Sequence, residues 1–168
     1  MSYRTRLMAA LGLGALAVLA LGGCQGDQRS GGVAAEMAKP VRRIDHLQSV
    51  AGNGKVLVAV GAFGAVIVSE DGGATWKRRD LPEGGALIKA AACGDGSFAV
   101  LDFGGRLWLG TPDAASWSAR QLPPSDAQLD VACTAENRLW VTGARGLLAT
   151  SRDGGKSWQE RSLVSGEA

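Results

Sequence analysis

Three tryptophans set a ruler along this chain. Trp76, Trp117 and Trp158 stand 41 residues apart, twice over. Ser69-Glu70-Asp71-Gly72-Gly73-Ala74-Thr75 leads into the first, and Ser151-Arg152-Asp153-Gly154-Gly155-Lys156-Ser157 into the third. Such a recurrence demands a tandem array of one supersecondary unit. A period near 40 belongs to propeller blades or helical solenoids. The runs between the tryptophans decide for blades. When Gly64, Gly105 and Gly146 are superposed, each window holds two short β-rich runs around a Gly turn. These pairs are Lys55 to Val60 with Ala65 to Ser69, Ser97 to Leu101 with Arg106 to Leu109, and Asn137 to Val141 with Leu147 to Thr150. That is a hairpin pattern, too short and too Gly-punctuated for helices. The three equivalent glycines mark a backbone position that needs positive φ.

A strand precedes each hairpin at His46 to Val50, Ile88 to Ala92 and Leu129 to Cys133. Another begins at each tryptophan of the ruler, over Trp76 to Arg79, Trp117 to Arg120 and Trp158 to Arg161. The latter runs are rich in charge, which blunts an outer sheet edge. The expected fold is all-β: three four-stranded antiparallel propeller-type blades, a partial propeller or one completed by oligomerisation. The repeats fall at about 43–82, 84–123 and 125–163, within a domain spanning 41–168.

The two complete boxes read Ser-x-Asp-x-Gly-x-Thr/Ser-Trp. Ser69, Asp71, Gly73, Thr75 and Trp76 form one; Ser151, Asp153, Gly155, Ser157 and Trp158 form the other. Each Asp can accept hydrogen bonds from its own turn, each Gly permits the reversal, and each Trp fills space beside the sheet. The middle copy, Gly110 to Trp117, keeps Trp117 and loses the Gly. The boxes resemble the Asp-box or BNR repeat of sialidases and of many noncatalytic propellers. The wording Val60-Gly61-Ala62-Phe63-Gly64 through Trp76, echoed from Thr142 through Trp158, is similar to the photosystem II assembly and stability factor domain. That resemblance runs over roughly Arg43 to Leu163. It implies a noncatalytic scaffold that helps membrane protein complexes assemble. The family's positive binding patch, built from several blades, does not carry over to three repeats.

Ahead of the repeats, Arg4 and Arg6 precede an apolar run from Met8 to Leu21, closed by Gly22-Gly23-Cys24. This is the layout of a secretory signal, and the apolar core is short for a membrane span. The small residues before Cys24 resemble the lipobox of bacterial lipoproteins. The expected parts are a signal over residues 1–23, a lipid on Cys24 and a flexible tether over 24–40. The lipid would hold the chain to a bilayer. Gln25 after the cysteine resembles the sorting position for an outer-membrane destination facing the periplasm.

After residue 23 the chain carries 16 basic and 16 acidic side chains. That balance gives no footprint for nucleic acid. The one tyrosine, Tyr3, lies in the signal, so the processed chain lacks the tyrosine nucleophile implied by a sialidase resemblance. His46 has no second histidine for a metal site. One carboxylate per box falls far short of a calcium shell. The expectation is therefore no enzyme, no metal and no cofactor. The partner is expected to be an envelope or membrane protein. A sialidase-like glycoside hydrolase or glycan-binding protein is the alternative.

Cys93 and Cys133 sit at nearly equivalent places on first strands of adjacent blades. Two readings stand. A disulfide suits an oxidising envelope. Two buried thiols are slightly favoured, because inner strands of separate blades are not hydrogen-bonded neighbours. Three blades are fewer than a closed ring requires, so both end faces are expected to be apolar. Val56, Val58, Leu139 and Val141 lie in the strands expected to supply them. A homo-oligomer of two copies would then give six blades.

Overall fold

The computed structural model describes residues 26–124 and 127–164. The chain forms three four-stranded antiparallel sheets, each in simple meander order. The first contains β1 (Leu47–Gly52), β2 (Leu57–Gly61), β3 (Val66–Ser69) and β4 (Lys77–Arg78). The second contains β5 (Leu87–Ala92), β6 (Phe98–Asp102), β7 (Arg106–Gly110) and β8 (Trp117–Gln121). The third contains β9 (Gln128–Cys133), β10 (Leu139–Gly143), β11 (Leu147–Ser151) and β12 (Gln159–Ser162). The sheets are propeller-type blades, with β1 lying against β5 and β5 against β9. Gly64, Gly105 and Gly146 have φ of 69°, 78° and 70°, the left-handed turn position that the repeat implies. In blades 1 and 3 the residue just before, Phe63 or Arg145, is also left-handed.

Strand alternation builds two inter-blade cores. On blade 1, the pairs Val58↔Val68 and Val60↔Val66 face blade 2. They meet Phe98, Val100 and Trp108 in one apolar cluster. On the other side of blade 2, the pairs Ala99↔Leu109 and Leu101↔Leu107 face blade 3 and meet Val131, Leu139, Val141 and Ala149. Blade 2 is thus buried on both faces and the outer blades on one. Val56, Val58, Leu139 and Val141, in the strands expected to supply the end faces, all point inward into these two cores. The alternation, which the sequence leaves open, is thereby fixed.

Polar links stitch the blades near the cores. Asn53 Nδ2 donates to Gly96 O (2.6 Å) and Pro112 O (2.8 Å), and Ala90 N donates to Ser49 Oγ at 3.1 Å. At Gly94 a side chain would collide with the Ala135 carbonyl of the next blade. Asp102 is fully buried on β6. It accepts from Arg106 N (2.9 Å), Arg106 Nε (2.8 Å) and Trp108 Nε1 (3.2 Å), so both carboxylate oxygens are partnered. The Arg106 guanidinium lies 5.2 Å from the Trp108 ring centre. Cys93 and Cys133 form a disulfide with a Cα–Cα distance of 4.9 Å. The two thiols favoured above are therefore replaced by a bridge. First strands of adjacent blades need no mutual ladder to come this close, because they converge where β5 meets β9.

The end faces are not alike. On blade 1 the outward row is Val50, Ala59, Ile67 and Arg78. Ile67 is nevertheless fully buried. Arg78 reaches back to Asp45 with two bonds of 2.8 and 3.0 Å and to Pro40 O at 3.2 Å. The segment from Pro40 to Asp45 is thus held against this end, while Val50 of the same row stays exposed. Burial works to raise the Asp45 carboxyl, and hydrogen bonds from Arg78 and Arg42 N outweigh it, leaving it below the usual carboxylate value. Upstream, Gly26–Met37 forms a helix, α1, where a flexible tether is expected. Ala34, Ala35 and Glu36 suit a helix. Glu36 then clasps Lys39 Nζ (2.6 Å) and Arg43 N (2.8 Å) as the chain turns towards the blade. From Gly31 on, α1 is almost wholly exposed. No helix among the described residues is long and apolar enough to cross a membrane.

Phe98 is fully buried on the blade 1 side of blade 2. Phe98→Ala should lower the unfolding free energy by about 3–5 kcal/mol in a chemical melt. A loss below about 1 kcal/mol would mean that blades 1 and 2 are not stacked through this face.

Candidate functional site

The boxed turns lie between third and fourth strands. In blade 1, Ser69 Oγ donates to Asp71 Oδ1 (2.8 Å) and accepts from Gly73 N (2.8 Å). Asp71 then accepts from Thr75 N (2.9 Å) and Thr75 Oγ1 (2.5 Å). Blade 3 repeats this almost atom for atom. Ser151 Oγ binds Asp153 Oδ1 (2.8 Å) and Gly155 N (2.9 Å), while Asp153 accepts from Lys156 N (3.0 Å), Ser157 N (2.9 Å) and Ser157 Oγ (2.6 Å). Gly73 and Gly155 have φ of 95° and 75°, which only glycine adopts cheaply. Hydrogen bonds from Thr75 and then Ser69 hold the Asp71 carboxyl down at about 2. Those from Ser157 and Ser151 hold Asp153 lower still.

The middle box closes differently. Thr111 Oγ1 donates to Asp113 Oδ1 (2.5 Å) and accepts from Ser116 N (3.1 Å), and Asp113 accepts from Ala115 N (3.1 Å). Ala114 takes the left-handed conformation, with φ of 52°, where the other boxes have Gly. Thr111 and Asp113 were missed in the sequence. The Thr-x-Asp spacing is present, but it stands one residue nearer its tryptophan than Ser69-x-Asp71 does.

Trp76, Trp117 and Trp158 are all half-buried. Trp117 packs on the core between blades 1 and 2, and Trp158 on the core between blades 2 and 3. Trp76 has no preceding blade and joins neither core; its ring lies beside Gly73 of its own turn. Gly110 is needed beneath Trp117, since a Cβ there would sit 2.6 Å from the ring.

These residues make turns rather than a reactive centre. Asp71 and Asp153 accept from donors in their own loops on both carboxylate oxygens, and the two complete boxes belong to blades separated by blade 2. A cavity of about 390 Å³ beside the β10–β11 turn is lined by one carboxylate, Glu160, together with Arg145 and Arg161. No group of three or more His, Cys, Asp or Glu positioned to hold a metal occurs among the described residues. His46 is exposed, and its backbone carbonyl accepts from Ala62 N at 3.1 Å. Cys24 and Tyr3 lie outside the described residues.

Residues 109–168 match the family model described as photosynthesis system II assembly factor YCF48. The chain carries a YCF48-like BNR-propeller region. A structure of YCF48 bound to D1 peptide aligns with a TM-score of 0.61 at 19% identity, covering 69% of this chain and 40% of that one. YCF48 from Cyanidioschyzon merolae aligns at 0.63 and 21%, covering 69% and 39%. Virginiamycin B lyase from Staphylococcus aureus aligns at 0.64 and 11%, covering 74% and 43%. The chain thus spans about two fifths of the length of these proteins. At such identities the structures establish the fold alone, and a lyase and an assembly factor share it. No curated protein sequence matches the chain.

Asp71 titrates at about 2 in the fold against an ordinary 3.8. Its contribution to stability is present above the ordinary value and is lost as pH falls from about 4 towards 2. Asp71→Asn should flatten the fall in thermal stability across that window while blade 3 retains its own acid sensitivity. An unchanged acid profile in the variant would mean that the Asp71 network does not form.

Proposed function

We propose that this protein is a noncatalytic lipoprotein of the bacterial cell envelope that serves as a protein-binding or assembly scaffold. The observation that carries the reading is the use made of the box carboxylates. Asp71 and Asp153, the acids with a recognisable motif around them, are consumed by hydrogen bonds inside their own turns. A glycoside hydrolase needs two carboxyl groups facing one substrate space. The family match over residues 109–168 supports an assembly-factor-like role, with a membrane protein complex as the partner. The Cys93–Cys133 disulfide supports an oxidising compartment. Cys24 after its run of small residues supports a lipid anchor, outer-membrane and periplasm-facing on the reading of Gln25.

Two measurements on protein extracted from membranes test the reading. Intact mass should correspond to a chain beginning at Cys24 with added acyl groups. A photo-crosslinker displayed on the propeller should yield an adduct with an envelope protein, and a broad sialoside and glycoside panel should give no turnover. An unmodified Cys24 would remove the anchor. Turnover abolished by changing one acidic residue would replace the scaffold with an enzyme.

A further inference from the structure

The 41-residue register makes the face of each blade that looks towards the next blade directly comparable. On blade 1 that face carries Val58, Val60, Val66 and Val68. On blade 2 the same positions are Ala99, Leu101, Leu107 and Leu109. Both sets are apolar, and both pack in an inter-blade core. On blade 3 the positions become Trp140, Thr142, Leu148 and Thr150, with Trp140↔Thr150 and Thr142↔Leu148 as cross-strand pairs. Two branched aliphatics have become threonines, and a small or medium side chain has become tryptophan. Arginine stands at the margin: Arg138 where blade 1 has Val56 and Arg152 where it has Glu70, beside Arg161, which repeats Arg79 and Arg120 of the stacked blades. Together they enclose a shallow cavity of about 190 Å³ around Trp140 and Leu148.

This face is not shaped to receive another propeller blade. A blade's aliphatic face would bury two hydroxyls together with the charged heads of Arg138 and Arg152, which blades 1 and 2 do not carry there. A second copy fits no better. Two blade 3 faces apposed by a two-fold axis would bring arginines against arginines, which costs affinity. Head-to-tail stacking needs the outward face of blade 1, and there Pro40 and Asp45 hold Arg78 across the sheet. Three acids stand on or beside the blade 3 face. Asp130 lies 3.3 Å from Lys89. The Glu136 carboxyl is held low chiefly by a hydrogen bond from Thr134 and less by the charge of Arg138. Asp153, which shares a cavity with Arg152, accepts from Ser157 in its own turn. Tryptophan and arginine in one small concavity are the residue types that dominate binding energy at protein interfaces.

We infer that the exposed face of blade 3 is a docking surface for an acidic protein segment carrying a large apolar side chain, which inserts beside Trp140 and Leu148 while its carboxylates pair with Arg138, Arg152 and Arg161. The inference deepens the scaffold reading by naming its surface, and it replaces self-association as the use of this end of the array. Arginine guanidinium groups pair with carboxylates in two-bond geometry. Binding at so exposed a rim should weaken as salt rises.

The test uses the full chain and a defined probe: a fluorescein-labelled Asp/Glu-rich peptide with one central Phe, compared with a Lys-rich peptide of the same length and an acidic peptide lacking Phe. The acidic Phe peptide should bind most tightly, and Arg152→Glu/Arg161→Glu should weaken it about tenfold or more. Both arginines are exposed, so this variant should keep the parent melting temperature. Trp140→Ala should weaken the same peptide and abolish its preference over the Phe-less one. Phe63→Ser, on an exposed turn at the end of β2, should change nothing. Equal binding of acidic and basic peptides, full affinity in the Arg152→Glu/Arg161→Glu variant, or a dimer in sedimentation that Trp140→Ala dissolves would each overturn the inference. A crosslinked envelope partner that persists in Arg152→Glu/Arg161→Glu would leave the scaffold function standing and remove this surface from it.

Discussion

Everything in this molecule rests on the stacking of blade faces across two apolar interfaces. A four-stranded meander of about 40 residues cannot bury enough surface to fold by itself. Each blade is stable only because Val58, Val60, Val66 and Val68 find Phe98, Val100 and Trp108, or because Leu101 and Leu107 find Leu139 and Val141. Blade 2 belongs to both interfaces, which makes it the keystone. The disulfide joins it to blade 3, and Asn53 and Ser49 join it to blade 1. The boxed turns serve the same arrangement. Trp117 and Trp158 each lean on the interface shared with the preceding blade, whereas Trp76 joins neither interface and lies beside Gly73 of its own turn.

Local geometry was legible in the sequence because it repeats. The glycines at 64, 105 and 146, the two complete boxes and the four runs per repeat all express the same backbone path three times. What the repeat does not encode is what differs between copies. The offset Thr111–Asp113 pair closes the middle box by a one-residue shift that superposition on 41 residues conceals. The left-handed Phe63 and Arg145 carry no residue-type signal, since neither is Gly or Asn. Asp102 reads as an ordinary strand-end acid until Arg106 and Trp108 are seen to converge on it. Which strand face points outward, and so where Val58 or Val141 goes, is settled by tertiary packing. The docking of Pro40 to Asp45 on blade 1 depends on the long-range bonds of Arg78 to Asp45 and Pro40, which no periodicity announces.

The functional reading follows from where polar chemistry is spent. Asp71, Asp153 and Asp102 are engaged by hydrogen bonds within their own turns and blade. Unspent polarity collects instead on one end face, where arginines surround an aromatic side chain. The two ends differ: on blade 1 the segment from Pro40 to Asp45 holds Arg78, and on blade 3 arginines border Trp140.

The claim that blade 2 is the keystone is open to one direct measurement, native-state amide hydrogen exchange with increasing denaturant, read strand by strand. The account predicts that amides of β6 and β7 exchange only through global unfolding. It also predicts that β11 and β12, which border the exposed face, open at lower free energy while blades 1 and 2 remain closed. Equal protection in all three blades, or exchange of β6 and β7 before the outer blades, would contradict it.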